Sequence, residues 1–268
     1  MSADAVSVSG LSKTFRVPDG KGGHLRHLAV DQVTFAVEAG GSLGIVGESG
    51  SGKTTIARML VGLERAGGGS ITVLGRDRST PTRRAVERNR RARELQIVFQ
   101  DPYTSLDPSQ SARAAVDEVL RHHAKLTAGQ RLSRTTALME QVGLTERQAD
   151  ARPRDLSGGQ RQRVAIARAL AAEPGVLILD EAVSALDVSI QAQIVNLLAD
   201  IRAATGMAYL LISHDLAVVR QLCDAVLVLR RGRVVEQGSC EQVLDAPAEE
   251  YTGRLRAAVP VPGWRPGS

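Results

Sequence analysis

The chain has 268 residues, 43% of them hydrophobic and 24% charged, so it can bury one large core or two smaller ones, and intrinsic disorder is excluded. The formal net charge of +5 is carried almost wholly by arginine, lysine occurring only as Lys13, Lys21, Lys53 and Lys125; this balance fits nucleic acid, a membrane surface or an anionic ligand without choosing among them. No apolar run approaches the roughly 18 residues of a membrane span, and the amino terminus lacks a signal-peptide pattern, so a cytosolic chain or one on the cytosolic face of a membrane is expected.

Taken in order, the first hundred residues read as short strands at Val6–Val8, Val33–Val37, Leu43–Val46, Ile71–Leu74 and Gln96–Phe99, with one helix over Thr54–Leu63. A glycine-rich stretch, PDGKGGHLR, reads as a loop between the first two strands. Arg83 to Glu94 is strongly basic. It lacks interleaved aromatics for base stacking and is interrupted by Glu87 and Glu94, so it reads as a solvated helix face with no nucleic acid expected. From Pro102 to Leu156 the pattern is helical, with a helix expected over Gln130–Val142 and His122–His123 on the surface. Beyond Ser157 strands and helices alternate: a helix to Ala172, strand Val176–Leu179, helix Val188–Ala204, strand Tyr209–Ile212, helix Leu216–Leu222, then the hairpin AVLVLRRGRVVEQG and a tail rich in Pro and Gly. Alternation of this kind predicts an α/β fold with a mainly parallel sheet covered by helices, the middle segment forming an inserted helical subdomain. Cys223 and Cys240 make no metal pattern and are expected as free thiols.

The strongest motif is GESGSGKTT, residues Gly47, Glu48, Ser49, Gly50, Ser51, Gly52, Lys53, Thr54 and Thr55. It follows an apolar strand and opens a helix, the context that a phosphate-binding loop requires. The glycines let backbone N–H groups turn inward around an anion, and the helix terminus adds partial positive charge. Lys53 would reach the outer phosphates and Thr54 would offer its hydroxyl to Mg²⁺. The bland alternative is a glycine-rich turn with a stray lysine. LILDEAVSALD then ends an apolar strand on Asp180 and Glu181, and acidic residues so placed need a partner. Parallel strands end at one edge of a sheet, so Asp180 can hold the Mg²⁺ that Thr54 touches, while Glu181 reaches an attacking water as base or positioner.

With LSGGQRQRVAIARAL, Leu156 to Leu170, the chain resembles ATP-binding cassette (ABC) ATPases, and the likeness covers about Val6 to Leu255. The motifs stand in order: the phosphate loop, Gln100 in VFQDPYTSLDP, Ser157–Gln160, Asp180–Glu181, Asp187 in SALD, and His214 in ISHD. GESGSGKTT, VFQDPYTSLDP and the late Pro247, Tyr251, Thr252 are more narrowly similar to the ATPase subunits of peptide and nickel importers.

The resemblance implies a P-loop NTPase (RecA-like) core with an amino-terminal antiparallel β part, in one unit of residues 1–255 with the helical subdomain at about 102–156 and a tail at 256–268. It implies ATP and Mg²⁺ as ligands, and hydrolysis assisted by Glu181, His214 and Gln100, with Gln100 also near the metal. Two subunits would pack head to tail, the signature Ser157, Gly158, Gly159 and Gln160 closing on the partner's ATP, with Asp187 at the interface. Phe15 stands where the family stacks an aromatic on adenine; a buried core Phe is the competing reading. Separate integral membrane permease subunits, and indirectly a solute-binding protein, would complete a peripheral importer on the cytoplasmic face of the membrane.

Independently of family, Ser157 and Gln160 fit a capping box, which alone explains a helix start. The departure from the family pattern is Ala182–Val183, where a proline is more usual, and a less rigid turn is expected there. The competing functions are a non-transport cassette ATPase acting on nucleic acid or the ribosome, and a nucleotide-sensing module without turnover.

Overall fold

The computed structural model describes residues 4–18, 20, 22–101 and 106–257. Among the described residues there are two sheets. β1 (Asp4–Pro18), β2 (His24–Glu38), β4 (Gly68–Val73) and β5 (Arg76–Asp77) form an antiparallel sheet in the order β2-β1-β4-β5. β3 (Ser42–Val46), β6 (Leu95–Val98), β7 (Val176–Asp180), β8 (Ala208–Ile212), β9 (Ala225–Arg230) and β10 (Arg233–Ser239) form the other, in the order β10-β9-β3-β8-β7-β6. Every pairing in the second is parallel except β9 with β10. The described helices are α1 (Lys53–Leu60), α2 (Ala85–Glu94), α3 (Ala112–His123), α4 (Ala128–Gln141), α5 (Glu146–Ala149), α6 (Gly158–Leu170), α7 (Val188–Thr205), α8 (Leu216–Leu222), α9 (Cys240–Asp245) and α10 (Glu250–Ala257).

The uninterrupted apolar strands follow from burial on both faces of the parallel sheet. Successive residues alternate between two cores, as a period of two demands. Leu177 and Leu179 of β7, Tyr209 and Leu211 of β8, and Val226 and Val228 of β9 face the core built with α3, α4 and α6–α9. Val176 and Ile178, Leu210 and Ile212, and Leu227 and Leu229 face the core shared with α1 and the antiparallel sheet. Tyr209 is fully buried and its hydroxyl donates to the Leu198 carbonyl at 2.9 Å, so the phenol is paired within that layer.

The mainly parallel sheet, the antiparallel amino-terminal part and the helical stretch are as expected. The amino-terminal strands are longer: β1 and β2 are 15 residues each, and His24–Arg26, assigned by sequence to a loop, pair with Arg16–Pro18. Their alternation is masked by polar residues because the tip of this hairpin is exposed on both faces. α2 has no buried residue, in keeping with a solvated basic helix. Cys223 and Cys240 are free thiols, and burial pushes the Cys223 thiol well above its usual range. Pro102, Tyr103, Thr104 and Ser105 of VFQDPYTSLDP, and most of the expected tail, lie outside the described residues.

Candidate functional site

Strand register assembles the site. Ile45 of β3 lies beside Ile212 of β8, and Ile212 beside Asp180 of β7, so the three strands end together. The segments that follow them, Gly47–Thr55, Glu181 and Ser213–His214, therefore share one edge of the sheet.

The Gly47–Thr55 loop is shaped by close backbone approach. Gly47 has φ +150°, and a Cβ there would stand 2.1 Å from the Leu229 carbonyl oxygen; Gly52 has φ +110°, and its Cβ would stand 2.4 Å from that of Ala29. Neither position admits a side chain, for steric as well as conformational reasons. Gly52 is also the N-cap of α1 and offers no side-chain hydrogen bond, so the first-turn amides keep their donors for an external acceptor. Lys53 is nearly buried. Its ammonium donates to the carbonyl oxygens of Gly47 at 2.7 Å and Glu48 at 2.8 Å, and burial lowers its pKa against the opposing pull of Glu181, Asp180 and Glu48. Ser51 Oγ is buried with no hydrogen-bond partner.

Thr54 and Asp180, 126 residues apart, meet: the Thr54 hydroxyl donates to Asp180 Oδ1 at 3.1 Å. Asp180 is 4% exposed, and its pKa is raised, chiefly by burial and further by the charge of Glu181. Glu181 has φ +50°, in the left-handed region, and its N–H donates to Ile212 O at 2.9 Å. His214 Nδ1 stands 3.6 Å from Glu181 Oε2 with its ring 59% exposed. The Asp215 carboxylate caps α8 by accepting from the Ala217 and Val218 amides, which anchors the backbone next to His214.

A cavity of about 250 Å³ opens over the loop, bounded by Phe15, Ser49, Lys53, Thr55, Glu181 and His27. Phe15 is half-exposed on this wall with the Lys13 ammonium 4.8 Å from its ring centroid, so the reading of a buried core Phe does not hold. His27 was not anticipated. It sits opposite Phe15 in the β1–β2 pairing, and only that register, invisible in a stretch taken for a loop, brings it to the site.

Gln100 is exposed and reaches the cluster through one intermediary, its Nε2 donating to Ser184 Oγ at 3.2 Å. Ser184 in turn donates through its hydroxyl to the Glu181 carbonyl at 2.9 Å and through its N–H at 3.2 Å. The turn expected to be less rigid for want of proline is thus fastened by Ser184, and Ala182 and Val183 are buried in the helical-side core. At α6 the capping box is complete: Ser157 Oγ accepts from Gln160 N–H at 3.3 Å, and Gln160 Oε1 from Ser157 N–H at 2.9 Å. A Cβ at Gly159 would meet Ile190 Cγ2 at 2.4 Å, so that glycine lets α6 approach α7, whereas a Cβ at Gly158 would stand 3.5 Å from Leu186 Cδ2, an ordinary contact. Neither Ser157–Gln160 nor Asp187 lines the cavity over the loop. Asp187 starts α7 with no side-chain cap and is exposed beside Val188.

Comparison with known proteins bears on this arrangement. The ABC transporter family model matches residues 30–184. The glutathione import ATP-binding protein GsiA of Escherichia coli K12 is 47% identical over 233 residues, 87% of this chain and 37% of that protein. The oligopeptide transport ATP-binding protein OppD of Mycobacterium tuberculosis H37Rv is 45% identical over 262 residues, 96% of this chain and 42% of that protein. The chain thus spans less than half the length of these relatives. Among solved structures, the ATP-binding cassette MJ0796, a dimer in a post-hydrolysis state bound to ADP and Pi, superposes with a TM-score of 0.78 at 26% identity, covering 88% of this chain and 98% of that one. cbiO1 of Clostridium perfringens, part of the ABC transporter complex cbiONQ, gives 0.75 at 27% identity, covering 91% of each. With a glycine-rich loop opening α1, a strand-end carboxylate pair and a family match over more than half its length, this chain belongs to the ABC transporter family.

Proposed function

We propose that the chain is the ATP-hydrolysing subunit of an ABC importer, driving uptake of peptides through separate permease subunits from the cytoplasmic face of the membrane. The observation that carries the proposal is the contact of Thr54 with Asp180, with Glu181 and His214 beside it. The names of the relatives, glutathione and oligopeptide import proteins, support the solute class. No helix among the described residues is long and apolar enough to cross a membrane. Residues 1–255 would act as one ATPase unit carrying the 102–156 helical insert.

The donor set fits Mg²⁺: a hydroxyl and a buried carboxylate meet where a second carboxylate raises the local negative charge. Thr54 and Asp180 would hold the ion, with Gln100 as a further ligand or water contact, and bound Mg²⁺ neutralises charge on the phosphates. The open amides of α1 bind phosphate oxygens, and Lys53 adds a compact cation. Glu181 orients water and accepts its proton, while His214 donates to the terminal phosphate. Phe15 and His27 would face the base. Because Ser157–Gln160 lie off the cavity of their own chain, a second subunit would receive them, and Val188, 83% exposed beside Asp187, gives that interface apolar surface.

Phosphate release measured for wild type and Glu181→Gln tests the reading. The variant should bind Mg²⁺–ATP, hydrolyse it slower by a factor of roughly 10²–10⁴, and elute as an ATP-dependent dimer on gel filtration. Wild-type turnover in the variant would reject the role of Glu181. A wild-type chain that binds ATP without turnover, alone and with its membrane partners, would favour a nucleotide sensor instead.

A further inference from the structure

The phosphate loop is held from behind by a helix about 200 positions downstream. Tyr251, in the first turn of α10, is 6% exposed, and its Oη accepts a hydrogen bond from the backbone N–H of Glu48 at 3.2 Å. The carbonyl of that same residue accepts from Lys53 Nζ at 2.8 Å. Glu48 is therefore gripped at both backbone groups, on one side by the lysine and on the other by the tyrosine. The ring is itself fixed: the Arg230 guanidinium lies 4.8 Å from its centroid, and Arg230 follows Leu229, whose carbonyl backs Gly47. The start of α10 is pinned as well, since the Ala248 and Glu249 amides donate to the Glu236 carboxylate of β10 at 2.8 and 3.3 Å.

We propose that Tyr251 is a positioning residue of the nucleotide site, its hydroxyl fixing the Glu48 peptide and so presetting the loop and Lys53 for the phosphates. The inference rests on Gly47–Thr55 being the ATP site. The hydroxyl preorganises the loop. Without the hydroxyl, the Glu48 N–H loses its acceptor, the loop gains conformations, and nucleotide must order it at a cost in affinity. That ordering is needed equally in the ground and transition states, so the effect falls on KM rather than kcat.

Tyr251→Phe keeps the ring and the Arg230 contact and removes only the hydroxyl. The KM for Mg²⁺–ATP, and the Kd for a non-hydrolysable ATP analogue by titration calorimetry, should rise about 3- to 10-fold. kcat should stay within about twofold, and Tm should be nearly unchanged. A purely structural tyrosine would lower Tm and the active fraction while leaving KM alone. Glu48→Pro removes the same N–H from the other side, and Glu48 is not in the left-handed region; in that background Tyr251→Phe should add nothing. Wild-type KM and Kd in Tyr251→Phe, or independent additive effects in the double variant, would overturn the inference, and Tyr251→Phe decides alone should Glu48→Pro not fold. Lys53→Ala separates the premise: if it loses nucleotide while Tyr251→Phe does not weaken it, only the role of Tyr251 falls, whereas nucleotide retained in Lys53→Ala removes the site and the inference with it.

Discussion

α1 and α6 begin alike, on glycines at the amino end of a helix, yet the structure treats their termini in opposite ways. At α1 the cap is Gly52, which offers no side-chain acceptor, and the surroundings supply a cation, a hydroxyl and two carboxylates. At α6 the terminus satisfies itself through the reciprocal Ser157–Gln160 box, and it lies apart from the cavity over the phosphate loop. The first leaves its amides open beside a cation within its own chain, which is the arrangement the proposed nucleotide site uses. The second is a helix end capped by its own side chains, which the proposed dimer would present to the nucleotide of a second subunit. A glycine-rich helix start is thus ambiguous by itself, and the neighbours that the fold delivers give it a role.

The sharpest break in that comparison is Lys53→Ala. It removes the one ammonium in the loop, and ATP binding should be lost at ordinary concentrations, a drop of about 100-fold or more for a desolvated charge-assisted contact. Equal affinity by equilibrium dialysis would show that α1 is no more an anion site than α6. Ser157→Arg attacks the other end. It should leave ATP affinity close to wild type while hydrolysis stops, with stability lowered by only about 1 kcal/mol for the lost cap; hydrolysis at the wild-type rate would show that the α6 terminus meets no nucleotide. The glycines divide α6 more finely. Gly159→Ala should cost about 1–3 kcal/mol in chemical denaturation because its Cβ runs into Ile190. Gly158→Ala, with ordinary contact to Leu186, should leave stability near wild type, and equal costs would refute the packing role given to Gly159.

The smallest effect concerns the charge that α1 faces. Burial raises the Asp180 pKa, so its favourable contribution to folding is complete only below about pH 4 and is lost as pH rises through the folded value. In chelator, without nucleotide, Asp180→Asn should therefore raise Tm slightly at neutral pH, the gain shrinking as pH falls towards about 4. A lower Tm at neutral pH would mean that the carboxylate stabilises the empty site. With Mg²⁺ and ATP the order should reverse, since the amide gives up the charge that attracts the cation.

Much of this was legible in the chain itself. Strands buried on both faces are apolar throughout, a helix start needs a cap, and a phosphate loop must place glycines where no Cβ fits, so β3, β7, β8, the α6 terminus and Gly47–Thr55 could be read directly. Such features are local, and a local constraint leaves its mark on neighbouring residues. The outer half of the β1–β2 hairpin was not legible, because strand segments exposed on both faces lose the alternation that marks a strand. The same loss hid His27 from view. The meeting of Thr54 with Asp180 was expected from the shared ends of parallel strands, whereas tertiary structure alone joined Gln100 to Ser184 and Tyr251 to Glu48, across 84 and 203 positions. Hydrogen bonds of that reach impose no spacing on the sequence, since any residue the fold carries to the right point can make them.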